Sequence, residues 1–117
     1  MIIRKVNTDE KDEFNQVVNH LLQTWQWGEF KEKTGMKAIR LGVFDQGEMV
    51  DGYQVLTREL PKIDYKVGQV LKSSLPDKQA VSAFQDLCQK EKIVYLLIEP
   101  DYIVRRWPNR KGKIKKD

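Results

Sequence analysis

A chain of 117 residues is long enough for one domain with its own hydrophobic core and too short for several. Its composition, 40% hydrophobic and 32% charged, is typical of a soluble globular protein, and no apolar run is long enough to span a bilayer. The N-terminus lacks the apolar stretch of a signal peptide, and the single cysteine, Cys88, excludes an internal disulfide, so the sequence predicts a cytoplasmic protein.

The net charge of +4 is concentrated at the C-terminus. Residues 105–117 contain seven basic residues and one acid, so residues 1–104 carry 14 basic and 16 acidic side chains, a net charge of −2. We therefore expect a folded domain of residues 1–104 followed by a basic tail of residues 105–117. The tail is either a solvated, disordered end or a contact for nucleic acid or acidic lipid. The first interpretation is favoured, because only Trp107 interleaves with the charges and no stacking platform is visible.

The N-terminal segment predicts a strand followed by an amphipathic helix. Ile2–Val6 is typical of a short strand, and Asn7 is a predicted N-cap with Glu10 completing a capping box. Because no second histidine or cysteine cluster is near His20, a metal role for it is disfavoured. Apolar residues at helical spacing then predict one buried stripe, formed by Phe14, Val17, Val18, Leu21 and Leu22.

Two of the three tryptophans, Trp25 and Trp27, are two residues apart and cannot share one face of a helix. Thr24 is a typical N-cap residue, and Gly35 suits the position just after a short second helix. Either this helix begins between the two rings, or one ring faces something other than the core.

The middle of the chain predicts a hairpin and a third strand. Lys37–Phe44 alternates in strand fashion, Asp45–Gly47 predicts a turn, and Glu48–Arg58 predicts the returning strand, which ends before Pro61. Tyr65–Leu71 is a weaker strand.

A helix and a strand complete the predicted fold. Pro76–Asp77 begins a helix, and Ile93–Ile98 is apolar throughout, which is typical of a strand buried on both faces. The order β-α-α-β-β-β-α-β predicts an α/β (α+β) fold with a mixed sheet and helices on its faces. We expect eight residues to be buried together: Phe14, Leu21, Ile39, Leu41, Val81, Phe84, Val94 and Leu96.

The usual catalytic patterns are missing from the sequence. It contains no glycine-rich phosphate loop, no Cys–His pair and no spaced set of metal ligands. The serines lie outside any glycine-flanked elbow. These residues alone identify no independent active site.

Four segments, taken in order, carry a resemblance. They are Leu22–Lys31 (LQTWQWGEFK), Arg40–Val50, Arg58–Pro61 (RELP) and Leu97–Pro100 (LIEP). They resemble the LQSWEWGEFK segment, the hairpin, the RPLP exit and the RIEP strand end of the Fem-type (FemABX) peptidoglycan bridge-forming aminoacyltransferases. The resemblance covers residues 1–100 and implies a partial N-acetyltransferase-like fold, the N-terminal part of the first acyltransferase-like domain of that family.

The resemblance implies transfer of an amino acid from aminoacyl-tRNA to the peptide stem of a cell-wall precursor, a muramyl peptide, without a metal or other cofactor. Family members have two such domains and bind the precursor largely with the first. Residues 1–104 are therefore expected to be a precursor-binding part without activity alone. The alternative is a non-catalytic binding domain of the same fold, whose open sheet edge is covered by a partner or a homodimer. A basic-tailed nucleic-acid-binding protein ranks third.

By the same resemblance, the segment Trp25–Lys31 and the strand end at Glu99 are expected to line one cleft. Trp27 stacks on a sugar or base of the precursor or packs its helix onto the sheet, and Lys31 pairs with a phosphate or carboxylate or is solvated. Arg58 suits an anionic precursor, with a surface ion pair as the alternative. Glu99 meets an amine or hydroxyl of the ligand or caps a turn. The expected substrate-binding residues are Trp25, Trp27, Lys31, Arg58 and Glu99.

Overall fold

A computed structural model of the chain describes residues 1–101 and the backbone of residues 106–107 and 115–116. The strands are β1 (Ile2–Lys5), β2 (Lys37–Asp45), β3 (Glu48–Glu59), β4 (Lys66–Ser73) and β5 (Ile93–Pro100), and the helices are α1 (Lys11–Val17), α2 (Trp25–Glu32) and α3 (Lys78–Glu91). Short 3-10 turns, Thr8–Glu10 and Leu21–Gln23, precede α1 and α2. The predicted element order and the mixed α/β fold class are confirmed.

Residues 106–107 and 115–116 pair as a two-residue antiparallel ladder. The rest of the predicted basic tail of residues 105–117 lies outside the described residues. In the described part of the chain, no helix combines the length and the apolar character needed to cross a membrane.

Five strands form one sheet in the order β1-β2-β3-β4-β5. The first four are antiparallel neighbours, and β5 runs parallel to β4 because α3 connects them. The β2–β3 turn contains Gln46 and Gly47, both with positive φ, as the predicted turn requires. Strands β1 and β5 are therefore the two edges of the sheet.

Helix α3 covers one face of the sheet and forms the main core with it. Asp77 caps this helix by accepting a hydrogen bond from the backbone N–H of Ala80 at 2.9 Å. Phe84 packs edge-on against Tyr53, with ring centroids 5.1 Å apart. The buried residues of this core are Ile39, Leu41, Val43, Tyr53, Val55, Val70, Ala80, Phe84, Leu87 and Ile93.

Helices α1 and α2 cover the opposite face. Phe14 and Trp25 are buried there, with the two rings in edge contact at 6.0 Å. The predicted capping box is present, since the Asn7 N–H donates to Glu10 Oε1 at 2.9 Å. The predicted N-cap is present as well, since the Trp27 N–H donates to Thr24 Oγ1 at 3.3 Å.

Four of the eight expected core residues are placed wrongly by the sequence pattern. Phe14 is buried, but on the face of the sheet opposite to Ile39 and Phe84. Leu21 is 67% exposed, because the backbone becomes extended at Val18 and the single predicted helix splits into α1 and a separate 3-10 turn.

Val81 and Val94 are the other two of these four residues. Val81 is exposed because it faces an open groove between α3 and β5. Val94 is 59% exposed because Lys66 pairs with Ile93 and Val67 with Tyr95, which leaves Val94 as an extra residue in the ladder.

The prediction that β5 is buried on both faces is also wrong. Tyr95 and Leu97 are exposed because α1 and α2 do not extend across β5. Only the side of the strand that faces α3 is covered, where Leu96 and Ile98 pack against the core.

Candidate functional site

The face of the sheet opposite α3 contains a cleft where α2 ends. The register places Arg58 beside Val67 and Val67 beside Tyr95, so one row of side chains crosses β3, β4 and β5 at this point. A second row, two residues along, joins Leu56 to Gln69 and Gln69 to Leu97. The cleft has a volume of about 270 Å³ and is lined by Lys31, Met36, Leu56, Arg58, Val67, Gly68, Gln69, Tyr95 and Leu97.

Two cations, Lys31 and Arg58, line this cleft from different elements. Lys31 projects from the last turn of α2, and Arg58 lies near the end of β3. Among residues 1–101, neither forms an ion pair within 4.0 Å, so the surface ion pair considered for Arg58 is not formed there. The described lining contains no carboxylate. An anion flanked by apolar or aromatic groups fits this arrangement of charges.

Trp27 lies one helical turn before Lys31 and is half-buried. Its ring centroid is 5.3 Å from that of Phe30, and Lys31 Nζ lies 5.6 Å from the Trp27 ring centroid, which is a cation–π distance. The indole N–H is buried and has no hydrogen-bond partner among the described residues. Trp27 therefore orients the Lys31 side chain through this cation–π contact. Trp27 is not itself one of the lining residues.

Trp25 occupies the core between α2 and the sheet. It is 6% exposed, and the guanidinium of Arg40 lies 3.8 Å from its ring centroid. This position corrects the expectation that Trp25 lines the cleft. The two tryptophans do face different surroundings, as their spacing predicts.

Glu99 lies on the same face of β5 as Tyr95 and Leu97, but further along the strand and outside the cleft lining. It is paired with Leu71 in the ladder, two residues beyond Leu97, which corresponds to about 6.6 Å of strand. Its carboxylate is exposed and lies 3.6 Å from Lys72 Nζ. The structure thus brings Lys31 and Arg58 together in one cleft, and it places Glu99 outside that cleft, contrary to the expectation that Glu99 lines it.

The sequence patterns missed a buried polar cluster beneath α2. Arg40 Nε donates to Gln54 Oε1 at 2.9 Å, and Arg40 Nη2 donates to the Trp25 carbonyl at 3.1 Å. Gln54 Nε2 donates to the Thr24 carbonyl at 2.7 Å. Burial lowers the pKa of Arg40 from its ordinary value. Gln23, which is 1% exposed, completes the cluster and joins the 3-10 turn to β3, since its Oε1 accepts a hydrogen bond from the Gln54 N–H at 2.7 Å.

Gly28 is the sequence signal that points to this cluster. A Cβ at this position would overlap Gln54 Oε1 and lie 2.5 Å from Arg40 Nη2. A glycine inside a helix is costly unless a close approach requires it. Here the absence of a side chain at Gly28 lets α2 pack directly against the side chains of Gln54 and Arg40.

A second polar cluster, on the other face, joins β3 to the segment before α3. Ser74 Oγ donates to Asp51 Oδ2 at 2.6 Å and lies 3.2 Å from the Tyr53 hydroxyl. Burial raises the pKa of Tyr53. In the part of the chain that the structure describes, no group of three or more His, Cys, Asp or Glu side chains is arranged to hold a metal ion.

The family model described as the FemAB family matches residues 6–117. Curated lipid II:glycine glycyltransferases from Staphylococcus aureus are 32% identical to this chain over 88 residues, covering 69% of this chain and 21% of the transferase. The chain thus spans about a fifth of the length of these curated relatives.

Two solved structures are similar to the chain. The crystal structure of FemX has a TM-score of 0.67 and 29% identity, over 87% of this chain and 28% of FemX. A ribosomal-protein-alanine N-acetyltransferase from Brucella melitensis biovar Abortus 2308 has a TM-score of 0.58 and 15% identity, over 85% of this chain and 80% of that enzyme. The second likeness shows the shared acyltransferase fold alone.

Proposed function

Because this chain belongs to the FemAB family, we propose that its described domain binds a peptidoglycan precursor for an aminoacyl transfer. The donor in this proposal is an aminoacyl-tRNA, and the acceptor is the peptide stem of the precursor. The similarity to lipid II:glycine glycyltransferases supports the choice of acceptor. The expectation of a cytoplasmic location stays a prediction.

The observation that carries the proposal is the presence of Lys31 and Arg58 in one cleft. A cell-wall nucleotide precursor is anionic, and two cations without a described ion-pair partner supply charge for it. Arg58 presents a planar fork that can hold a phosphate or carboxylate through two hydrogen bonds, whereas Lys31 acts as a compact point charge.

The remaining lining suits the uncharged parts of such a precursor. Tyr95 and Leu97 are exposed on the floor of the cleft, where the ring of Tyr95 offers a surface for a sugar or a base. Trp27 holds the Lys31 side chain through the cation–π contact between the two. We expect Glu99, further along the same face, to meet an amine or hydroxyl of a ligand that extends out of the cleft. We expect binding without transfer by this chain alone, since the described lining contains no carboxylate or histidine to accept the proton of the attacking amine of the peptide stem.

Titration with a nucleotide-linked muramyl pentapeptide, followed by tryptophan fluorescence, tests the proposal. Trp27 stands one helical turn from Lys31 and should report an anion that binds there. We expect a saturable change with a Kd in the millimolar range, about 4 kcal/mol of binding free energy. Lys31→Ala should abolish the change, and Arg58→Ala should weaken it.

Lys33→Ala is the matched control, because Lys33 is the exposed C-cap residue of the same helix and lies outside the cleft lining. It removes the same charge and should leave the titration unchanged. The proposal fails if the unchanged chain shows no saturable signal at several millimolar, or if Lys31→Ala and Lys33→Ala behave alike.

The exposed edge of the sheet favours a second candidate function, a binding domain whose sheet is completed by a partner or a second copy. Strand β5 is an edge strand, and Val94, Tyr95 and Leu97 are exposed along it. Such an edge invites pairing with another strand. Sedimentation equilibrium at about 0.5 mM separates the second copy from the different partner, since a chain that stays monomeric there does not complete its sheet with a second copy.

A further inference from the structure

Strands β3 and β4 diverge although both continue. Their ladder runs from the Glu59–Lys66 pair to the Leu56–Gln69 pair and stops there, while β3 begins at Glu48 and β4 extends to Ser73. Two residues further along, the same register would place Gln54 opposite Leu71. The backbone groups of these two residues face a gap within the sheet, and buried backbone groups require hydrogen-bond partners.

The side-chain amide of Gln23 fills this gap. The Gln54 N–H donates to Gln23 Oε1 at 2.7 Å, and Gln23 Nε2 donates to the Leu71 carbonyl at 2.7 Å. A primary amide carries both a donor and an acceptor, so it stands in for the peptide group that a paired strand would supply. Gln23 is thus joined to both strands at the point where they separate.

This attachment lies immediately before α2. Gln54 Nε2 and Arg40 Nη2 hold the carbonyls of Thr24 and Trp25, and Gly28 lets the first helical turn rest on the same side chains. Lys31 follows Thr24 by seven residues, about 10 Å along the helix axis. The position of α2 relative to β3 and β4 therefore determines where Lys31 stands in the cleft.

We infer that Gln23 is a positioning residue for the cleft, which sets the distance between Lys31 on α2 and Arg58 on β3 by bridging the diverging strands. The inference rests on the proposed function for its effect on precursor binding. The position of α2 above the sheet, which Gln23 is inferred to fix, can be measured without a ligand.

Gln23→Glu tests this role with almost no change in shape. When it is ionised, the carboxylate only accepts hydrogen bonds, so it keeps its bond from the Gln54 N–H and loses its donation to the Leu71 carbonyl. Protonation restores an O–H donor next to a carbonyl acceptor, and burial raises the pKa of such a carboxyl group. The variant should therefore be impaired at about pH 9, above this raised pKa, and restored at about pH 5.

Two measurements follow the effect at a temperature where every variant is folded. At about 2 mM nucleotide-linked muramyl pentapeptide, the fluorescence change should fall about fourfold, which corresponds to a tenfold rise in a millimolar Kd or about 1.4 kcal/mol. Spin labels at Lys33→Cys and Glu59→Cys, in a Cys88→Ser background, report the distance from α2 to β3. This distance should change in Gln23→Glu and return at about pH 5.

Val70→Ala is the matched control for stability. Val70 is fully buried in the core on the α3 face, so its truncation should lower the Tm without altering the label distance or the affinity. If Gln23→Glu resembles Val70→Ala in both measurements, Gln23 is a packing residue and the inference is overturned. If the unchanged chain fails to bind the precursor, the proposed function falls, and the label distance still decides whether Gln23 positions α2.

Discussion

Gly28→Ala should destabilise the protein, although alanine is the better helix former. In an exposed helix this change is worth a gain of about 1 kcal/mol. At this site the new Cβ would overlap Gln54 Oε1 and lie 2.5 Å from Arg40 Nη2. Those atoms end flexible side chains, but Gln54 is fully buried and both side chains are held by hydrogen bonds to α2 and to each other.

The size of the loss in stability follows from the contacts that the new Cβ would disrupt. Either α2 moves outward or the Gln54–Arg40 hydrogen bond and one bond to the helix carbonyls are lost. Two buried hydrogen bonds at about 1–3 kcal/mol each, less the gain of about 1 kcal/mol in helix propensity, leave a net loss of about 1–5 kcal/mol. Urea unfolding followed by tryptophan fluorescence measures this loss as a shift of the midpoint at constant slope.

A double-mutant cycle isolates the cause. In a Gln54→Ala background the overlapping oxygen is absent, so Gly28→Ala should cost less than half of its effect in the unchanged chain. Stabilisation of the unchanged chain by Gly28→Ala would refute the close approach described above. An equal penalty in both backgrounds would show that the strain has another origin.

Phe84→Ala should cost about 3–5 kcal/mol in urea unfolding because the ring is buried against Tyr53, whereas Val81→Ala on the exposed side of the same helix should stay within about 0.5 kcal/mol. The hydrogen bond from Arg4 lowers the pKa of Glu10 from 4.5 to about 2. A lowered folded-state pKa contributes stability that is present above the ordinary pKa and is lost as the pH falls toward 2. Arg4→Ala should move the Glu10 pKa back toward 4.5 in an NMR titration, and an unchanged pKa would assign the shift to the capping box alone.

The element order was predictable because each element carries its own local signal. Thr24 and Asp77 are good caps, Gly47 permits its turn, and the apolar positions Ile39 and Leu41 alternate as a strand requires. The sequence patterns did not predict which faces of the helices and strands pack against each other. The apolar run in β5 fits burial on both faces equally well, and nothing in it reveals that α2 does not extend across the strand.

The candidate site was predictable in part for the same reason. Lys31 and Arg58 were found through the motifs that carry the family resemblance. Arg40 and Gln54 were missed because they alternate with core residues, which is also the pattern of a solvent-facing strand side. Gln23 was missed because the helical stripe through Leu22 predicted a continuous helix, and the bond from Gln23 to Leu71 joins residues far apart in the chain.

The two helical layers should respond differently to cooling. Helix α3 is held by apolar contacts, whose burial carries a large heat capacity and weakens as the temperature falls. Helix α2 adds hydrogen bonds from Gln54 and Arg40 to its contacts, and these do not fade in that way. On cooling, α3 should therefore lose its packing on the sheet before α2 does. The wall of the cleft should keep its geometry at a temperature where the α3 side of the sheet is already destabilised.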